Sequence, residues 1–192
     1  MRRAQRGDDA AFAVLVRAHE ARVFNYVFRV LGDRALAEDV TQEVFLRVFQ
    51  ALPRFSFGCK FTTWLFQVTK NRVLDELRTR DRRPRQLLEA EDVPSLEAVD
   101  ARFERGETLA AVWDAIDGLS TDLKMALLLR DVVGLSYPEI AGTLEITLST
   151  VKWRIFDARA RVALALARTD VAPEHRPAPV RAVAGGARSI GR

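Results

Sequence analysis

The stretch from Gly134 to Arg161 constrains the fold more than any other part of the chain. Ser136-Tyr137-Pro138-Glu139 places a hydroxyl at a helix N-cap, a proline in the first turn and a carboxylate three residues on. That is a capping box, which satisfies backbone N–H groups left without partners at a helix start. Ile140, Ala141 and Leu144 follow at helical spacing, the pattern pauses at Glu145-Ile146-Thr147, and a second run puts Val151, Ile155, Ala158 and Val162 on one face. The outward residues of this second helix include Ser149, Thr150, Lys152, Trp153, Arg154, Arg159 and Arg161. A capped short helix, a tight turn and a basic second helix predict a helix-turn-helix, and its donors and cations suit a groove of DNA. The plainer alternative is a solvated helix in an ordinary bundle.

With 192 residues, 48% of them hydrophobic, the chain has material for one large or two small domains with a core. The net charge of +4 favours a polyanionic partner only mildly, so the distribution of charge carries more information than the total. One cysteine, Cys59, and two histidines, His19 and His175, exclude an internal disulfide framework and a cysteine- or histidine-rich metal cluster. Asp8, Asp9, Arg17, His19 and Glu20 interrupt any signal-peptide core, and no later segment approaches the ~20 apolar residues of a membrane span. The expectation is a cytoplasmic protein without membrane insertion, cofactor or metal.

From the start, Asp8 and Asp9 precede Phe12, Leu15, Val16, Val23, Val27 and Val30, a helical repeat for one long helix or two short ones, stopped by Gly32. Asp33 is placed to cap the next helix, with Leu36, Val40, Val44, Phe45, Val48, Phe49 and Leu52 repeating to Pro53. Its polar side gathers Glu38, Asp39, Gln42 and Glu43 near the helix start, where the macrodipole favours carboxylates. Such acids are commonly just solvated; in a basic protein they are also a candidate contact with another protein. Residues 53–63 read as a loop whose aromatics either receive unstacked bases or anchor the loop in the core. From Thr63 a helix is predicted through Trp64, Asn71 and Leu77, ending among Arg78, Arg80, Arg82, Arg83 and Arg85, which complement its C-terminus or neutralise phosphates.

After Pro84 the acid-rich residues 86–107 read as a linker. Leu109, Val112, Trp113, Ile116 and Leu119 mark a helix, Leu123 to Val133 another, and these pack with the helix-turn-helix as a four-helix domain over residues 108–168. The Pro/Ala/Gly/Arg tail, residues 169–192, has no hydrophobic period and reads as disordered. No strand run, repeat or phosphate-cradling glycine loop appears. The chain therefore reads as an all-α, non-enzymatic protein with two DNA-facing surfaces and one acidic surface.

At these residues the chain resembles a bacterial RNA polymerase sigma factor of the extracytoplasmic-function group of the sigma-70 family. Residues 1–85 resemble sigma domain two through Gly7-Asp8, Gly32-Asp33, the run Ala37 to Phe45, Phe61-Thr62-Thr63-Trp64-Leu65 and Asn71; residues 108–168 resemble domain four through the run Gly134 to Ala141 and Thr150-Val151-Lys152. The resemblance implies two small helical domains joined by a linker, and gives each surface a task. Asp39, Gln42 and Glu43 would dock on the clamp helices of the largest subunit of core RNA polymerase. Lys60, Thr62, Thr63, Trp64 and Asn71 would capture the minus-ten element as an unstacked single strand. Thr150, Lys152, Trp153, Arg154 and Phe156 would read the minus-thirty-five element of promoter DNA, with Arg159 and Arg161 on phosphate. It also implies an anti-sigma factor that covers both domains.

The chain departs from the family pattern mainly in its second half. Glu145 stands where the family usually has the glycine of the turn, at a cost on the order of 1 kcal/mol if the position is left-handed. Ser149 replaces another glycine, Ser120 a proline and Trp153 a small residue, while Asp157 stands where a cation is common. A carboxylate there would repel phosphate or select a cytosine amino group. Two alternatives remain at this point. One is a free-standing helix-turn-helix regulator, and the other a helical interaction protein that has lost DNA binding.

Overall fold

The computed structural model describes residues 1–82 and 106–170, and all regular structure in them is helical. Arg83 and Arg85, most of the expected linker and the tail beyond Asp170 lie outside the described residues. Helix α1 (Arg2–Gln5) leads into α2 (Asp9–Leu31), α3 (Arg34–Ala51), a 3-10 turn at Leu52–Arg54, and α4 (Phe61–Arg82). The second half holds α5 (Gly106–Asp117), α6 (Thr121–Asp131), α7 (Tyr137–Leu144) and α8 (Leu148–Asp170).

The helix boundaries follow from local chemistry. The Asp8 carboxylate accepts from the Ala11 N–H at 2.9 Å, and Asp33 from Leu36 at 2.9 Å, so each aspartate closes the open start of the helix behind it. Gly32, with φ of 72°, turns the chain between them in the left-handed region where a side chain is disfavoured. The repeat from Phe12 to Val30 is thus one helix. Arg80, near the end of α4, donates to the Leu31 carbonyl and to the Asp33 carboxylate, both at 2.9 Å. It completes the α2–α3 corner, which makes it a structural cation.

Helix α4 begins at Phe61, two residues before the predicted start, because the Lys60 carbonyl already accepts from the Trp64 N–H at 3.1 Å. The early start turns Phe61 and Trp64 toward buried Phe55, with the Trp64 ring 4.9 Å from Phe55 and 5.9 Å from Phe61. The loop aromatics differ in burial. Phe55 anchors the loop in the interior, whereas Phe57 is 43% exposed and held at φ 60°, a conformation uncommon for a bulky residue.

Val23, Tyr26 and Val27 of α2 meet Val40, Val44 and Val48 of α3 and Leu65, Phe66 and Val73 of α4 in the first core; Tyr26 and Phe66 contact edge to face at 5.5 Å. In the second half α5, α6 and α7 each pack on α8 through Leu123, Ala126, Ile140, Val151, Ile155 and Ala158. This is the four-helix arrangement expected from the pattern. The two halves also touch: α4 lies against α7 and α2 against α6, and most of their buried residues form one continuous cluster, with Ala4, Leu52 and Phe55 in a smaller second one.

Candidate polymerase and nucleic-acid interfaces

The acidic surface follows from the amphipathic pattern of α3. Val40 and Val44 point into the core, which leaves Asp39, Gln42 and Glu43 exposed on the opposite face. Glu43 accepts from Arg72 of α4, whose guanidinium also reaches Glu76 at 2.9 Å and is only 11% exposed. This hydrogen bond holds the Glu43 carboxyl below its usual range and raises Arg72 above its own. Sequence spacing gave no sign that Arg72 braces Glu43, because the pair joins two helices.

Lys60, Thr62, Thr63 and Trp64 sit together at the loop–α4 junction, and exposed Asn71 lies two turns on from Trp64 along the same helix. Lys60 is exposed, Thr62 and Trp64 are half-buried, and Thr63 is buried. The reason for that burial lies in the other half of the chain. The Thr63 hydroxyl donates to Glu139 of α7 at 3.1 Å, and the Lys60 amine pairs with the same carboxylate oxygen at 3.1 Å.

Helix α7, the first of the helix-turn-helix, starts with the predicted cap. Glu139 accepts from the Ser136 N–H at 2.8 Å and from its hydroxyl at 2.6 Å, while the Glu139 N–H points back to Ser136. Glu145 then takes φ 58° and ψ 42°, and the Ile146 N–H reaches the Ala141 carbonyl at 3.1 Å. That is the left-handed helix end usually assigned to glycine. The Glu145 carboxylate meets Lys70 of α4 at 2.8 Å, an ion pair that glycine could not make.

On α8, Lys152, Trp153 and Phe156 project from the side opposite Val151, Ile155 and Ala158; Trp153 is 59% and Phe156 75% exposed. Lys152 and Phe156 line a shallow groove with Tyr137 and Arg159, and Trp153 stands outside it. Three other candidates are engaged inside the chain. Arg154 is half-buried against Asp122 of α6 at 2.6 Å, Arg159 pairs with Asp131 at 2.6 Å, and Arg161 with Asp157 at 2.9 Å. Asp157 is therefore already matched by a cation one turn away. The Thr150 hydroxyl lies 2.7 Å from that of Thr147, whose oxygen also accepts from the Thr150 N–H at 3.2 Å. Thr147 caps α8, a role readable from Thr147-Leu148-Ser149-Thr150 but absent from the sequence expectations.

Glu139 has the most displaced acidity on these surfaces. Hydrogen bonds from the Ser136 hydroxyl and N–H, helped by Lys60 and Thr63 and opposed by burial, pull its carboxyl from 4.5 to about 2. A carboxyl lowered by folding stabilises the fold above its unfolded value, and that contribution disappears as pH falls through the folded value. Urea unfolding of the protein and of Glu139→Gln should therefore differ most above about pH 5, with the gap closing by up to roughly 3 kcal/mol toward about pH 2. A pH-independent gap would show that the charge on Glu139 is not what the fold uses.

Among the described residues no group of three histidine, cysteine, aspartate or glutamate side chains is placed to hold a metal ion, and no helix is long and apolar enough to cross a membrane.

A helix-turn-helix domain beside a second helical domain with an acidic face defines a two-part DNA-binding protein. Residues 15–83 match the model for Sigma-70 region 2, and residues 109–162 that for Sigma-70 region 4. RNA polymerase sigma-H factor of Pseudomonas aeruginosa is 35% identical over 174 residues, covering 85% of this chain and 90% of that protein. The sigma-E factor of Escherichia coli K12 is 35% identical over 175 residues, covering 82% of this chain and 87% of its own. Among solved structures, CnrH in complex with the cytosolic domain of CnrY aligns with a TM-score of 0.64 at 25% identity, over 89% of this chain and 95% of the other. The chain belongs to the extracytoplasmic-function sigma factors of the sigma-70 family. It is a sigma factor: it binds core RNA polymerase and promoter DNA and directs transcription initiation. Neither a free-standing regulator nor an interaction protein without DNA binding accounts for both matched regions.

Proposed function

We propose that three surfaces of this chain divide the work of initiation, with domain two within residues 1–85 and domain four within residues 108–168. Asp39, Gln42 and Glu43 dock on the clamp helices of core polymerase. Lys60, Thr62, Thr63, Trp64 and Asn71 hold the minus-ten strand, and α8 reads the minus-thirty-five element. The observation that carries this reading is the exposure of Asp39, Gln42 and Glu43 on one face of a helix whose other face is core. Within α8, Lys152, Trp153 and Phe156 are the base readers, because they are exposed and free of the ion pairs that occupy Arg154, Arg159 and Arg161. An exposed indole and phenyl ring suit the methyl groups of thymine in the major groove. The reaction itself belongs to the polymerase, and this chain contributes binding alone, in the cytoplasm.

Opening DNA costs a few kcal/mol per unstacked base, an expense that stacking on aromatic side chains and a basic rim offset without nucleotide hydrolysis. CnrH was solved with a protein partner, CnrY, and an anti-sigma factor is the corresponding partner here. The exposed apolar residues Trp153, Phe156 and Leu164 along α8 favour such a contact. The melting role is tested with 2-aminopurine in the minus-ten non-template strand of a promoter found by start-site mapping. Fluorescence should rise when core polymerase and the protein are added without nucleotides, and a Lys60→Ala, Trp64→Ala variant should remove most of the rise. An equal rise with that variant would place strand capture elsewhere.

A further inference from the structure

The loop between α3 and α4 is held from outside by the short first helix. The Gln5 side chain donates to the Phe55 carbonyl at 2.7 Å and reaches the Pro53 carbonyl at 3.4 Å. Ala4 is buried against Leu52 and Phe55 in the smaller core, and Arg3 pairs with Asp8 at 2.8 Å, which fixes α1 to the start of α2. The Arg2 guanidinium lies 5.5 Å from the centre of the Phe57 ring.

Phe57 is the residue whose conformation packing does not explain. Among the described residues two other than glycine take a positive φ, Phe57 and Glu145. Glu145 gains its ion pair with Lys70 there. Phe57 gains no burial, since its ring stays 43% exposed against 7% for Phe55. A bulky side chain in the left-handed region is strained, and such strain persists only where the surroundings enforce it, most often at ligand clamps. Gln5, drawing on the carbonyls of residues 53 and 55, supplies that enforcement. The ring is also continuous with the surface proposed for the minus-ten strand. Phe57 stands 5.0 Å from Phe55 and Phe55 4.9 Å from Trp64, so an aromatic row runs from the loop tip to α4. Arg2 and Lys60, both exposed, add positive charge to it.

We propose that Phe57 is a further platform for one unstacked base of the single strand, and that Gln5 is the positioning residue that holds it there from α1. The inference rests on the minus-ten role proposed for the adjoining surface. An exposed ring accepts any base on its face, and Arg2 supplies charge for the phosphate of that nucleotide.

The test uses the full chain with core polymerase and a fluorescein-labelled single strand carrying the minus-ten segment of a mapped promoter. Abasic sites are placed along the strand one at a time. Phe57→Asn removes the ring and keeps a residue that tolerates the left-handed backbone, so the loop retains its course. This variant should bind the intact strand about tenfold more weakly, and should be indifferent to an abasic site at one position that costs the unaltered protein about tenfold. Phe57→Trp should restore both the affinity and the sensitivity at that position. Gln5→Met keeps the length of the side chain but donates no hydrogen bond. It should weaken strand binding severalfold, and should cost nothing more when added to Phe57→Asn, because it acts through Phe57. Affinity for core polymerase should be unchanged in every variant. If Phe57→Asn binds the intact strand as well as the unaltered protein, or responds to every abasic site as that protein does, the platform is overturned. Additive losses for Gln5→Met and Phe57→Asn would overturn the positioning role. A strand that the unaltered holoenzyme does not bind at all would refute the minus-ten reading itself, a result distinct from either of these.

Discussion

Replacing Asp39 and Glu43 by lysine should lower affinity for core RNA polymerase by at least about 100-fold while leaving the protein folded. Charged groups in a protein interface typically contribute a few kcal/mol when one partner is removed, and reversal adds repulsion to that deficit. Both residues are exposed, so their cost to stability is of the surface kind. Asp39 gives the cleaner single change, because Glu43 also holds Arg72. Binding of labelled protein to core polymerase at fixed salt measures the effect. Unchanged affinity would move the docking surface away from α3.

The second large effect is expected on α8. Lys152→Ala with Trp153→Ala should reduce transcripts from a minus-thirty-five-dependent promoter by roughly 30-fold or more, at about 1–3 kcal/mol for each base the truncated side chains no longer read. Affinity for core polymerase should not change. Both side chains project into solvent, so truncation leaves the packing of Val151, Ile155 and Ala158 intact. Arg154→Ala should act differently, since Arg154 is held by Asp122. It should lower the thermal stability of the second domain along with promoter use. Equal loss of core binding and of transcripts in the Lys152, Trp153 variant would mean that α8 touches the polymerase and not the DNA.

These expectations show what was legible in the chain. Caps and turns are local, so Gly32, Asp33 and the Ser136–Glu139 box could be read directly, and the alternation of apolar positions put Val40 and Val44 inside and Asp39 outside. The resemblance supplied the tasks of the surfaces, which spacing alone left open. What could not be read was pairing over distance. Thr63 meets Glu139 and Lys70 meets Glu145 across 76 and 75 residues, and nothing within reach of a helical period marks either pair. Glu145 looked like a defect in a turn that favours glycine; in three dimensions it is half of an ion pair. Trp64 was open between interior and surface for a physical reason: its ring leans on Phe55 and Phe61 yet stays half-exposed beside Lys60. The resemblance set Arg154 on bases and Arg159 and Arg161 on phosphate, but nothing in the sequence showed that Asp122, Asp131 and Asp157 tether these cations and leave Lys152 without an ion pair among the described residues.

Two grips on one promoter, seated on the polymerase by a third face, can be seen together in one hydroxyl-radical footprint of the reconstituted holoenzyme on a mapped promoter. Two protected regions are expected, one at the minus-ten and one at the minus-thirty-five position, both requiring core polymerase and both abolished by Asp39→Lys, Glu43→Lys. A single region protected by the protein without polymerase, unaffected by those substitutions, would contradict it.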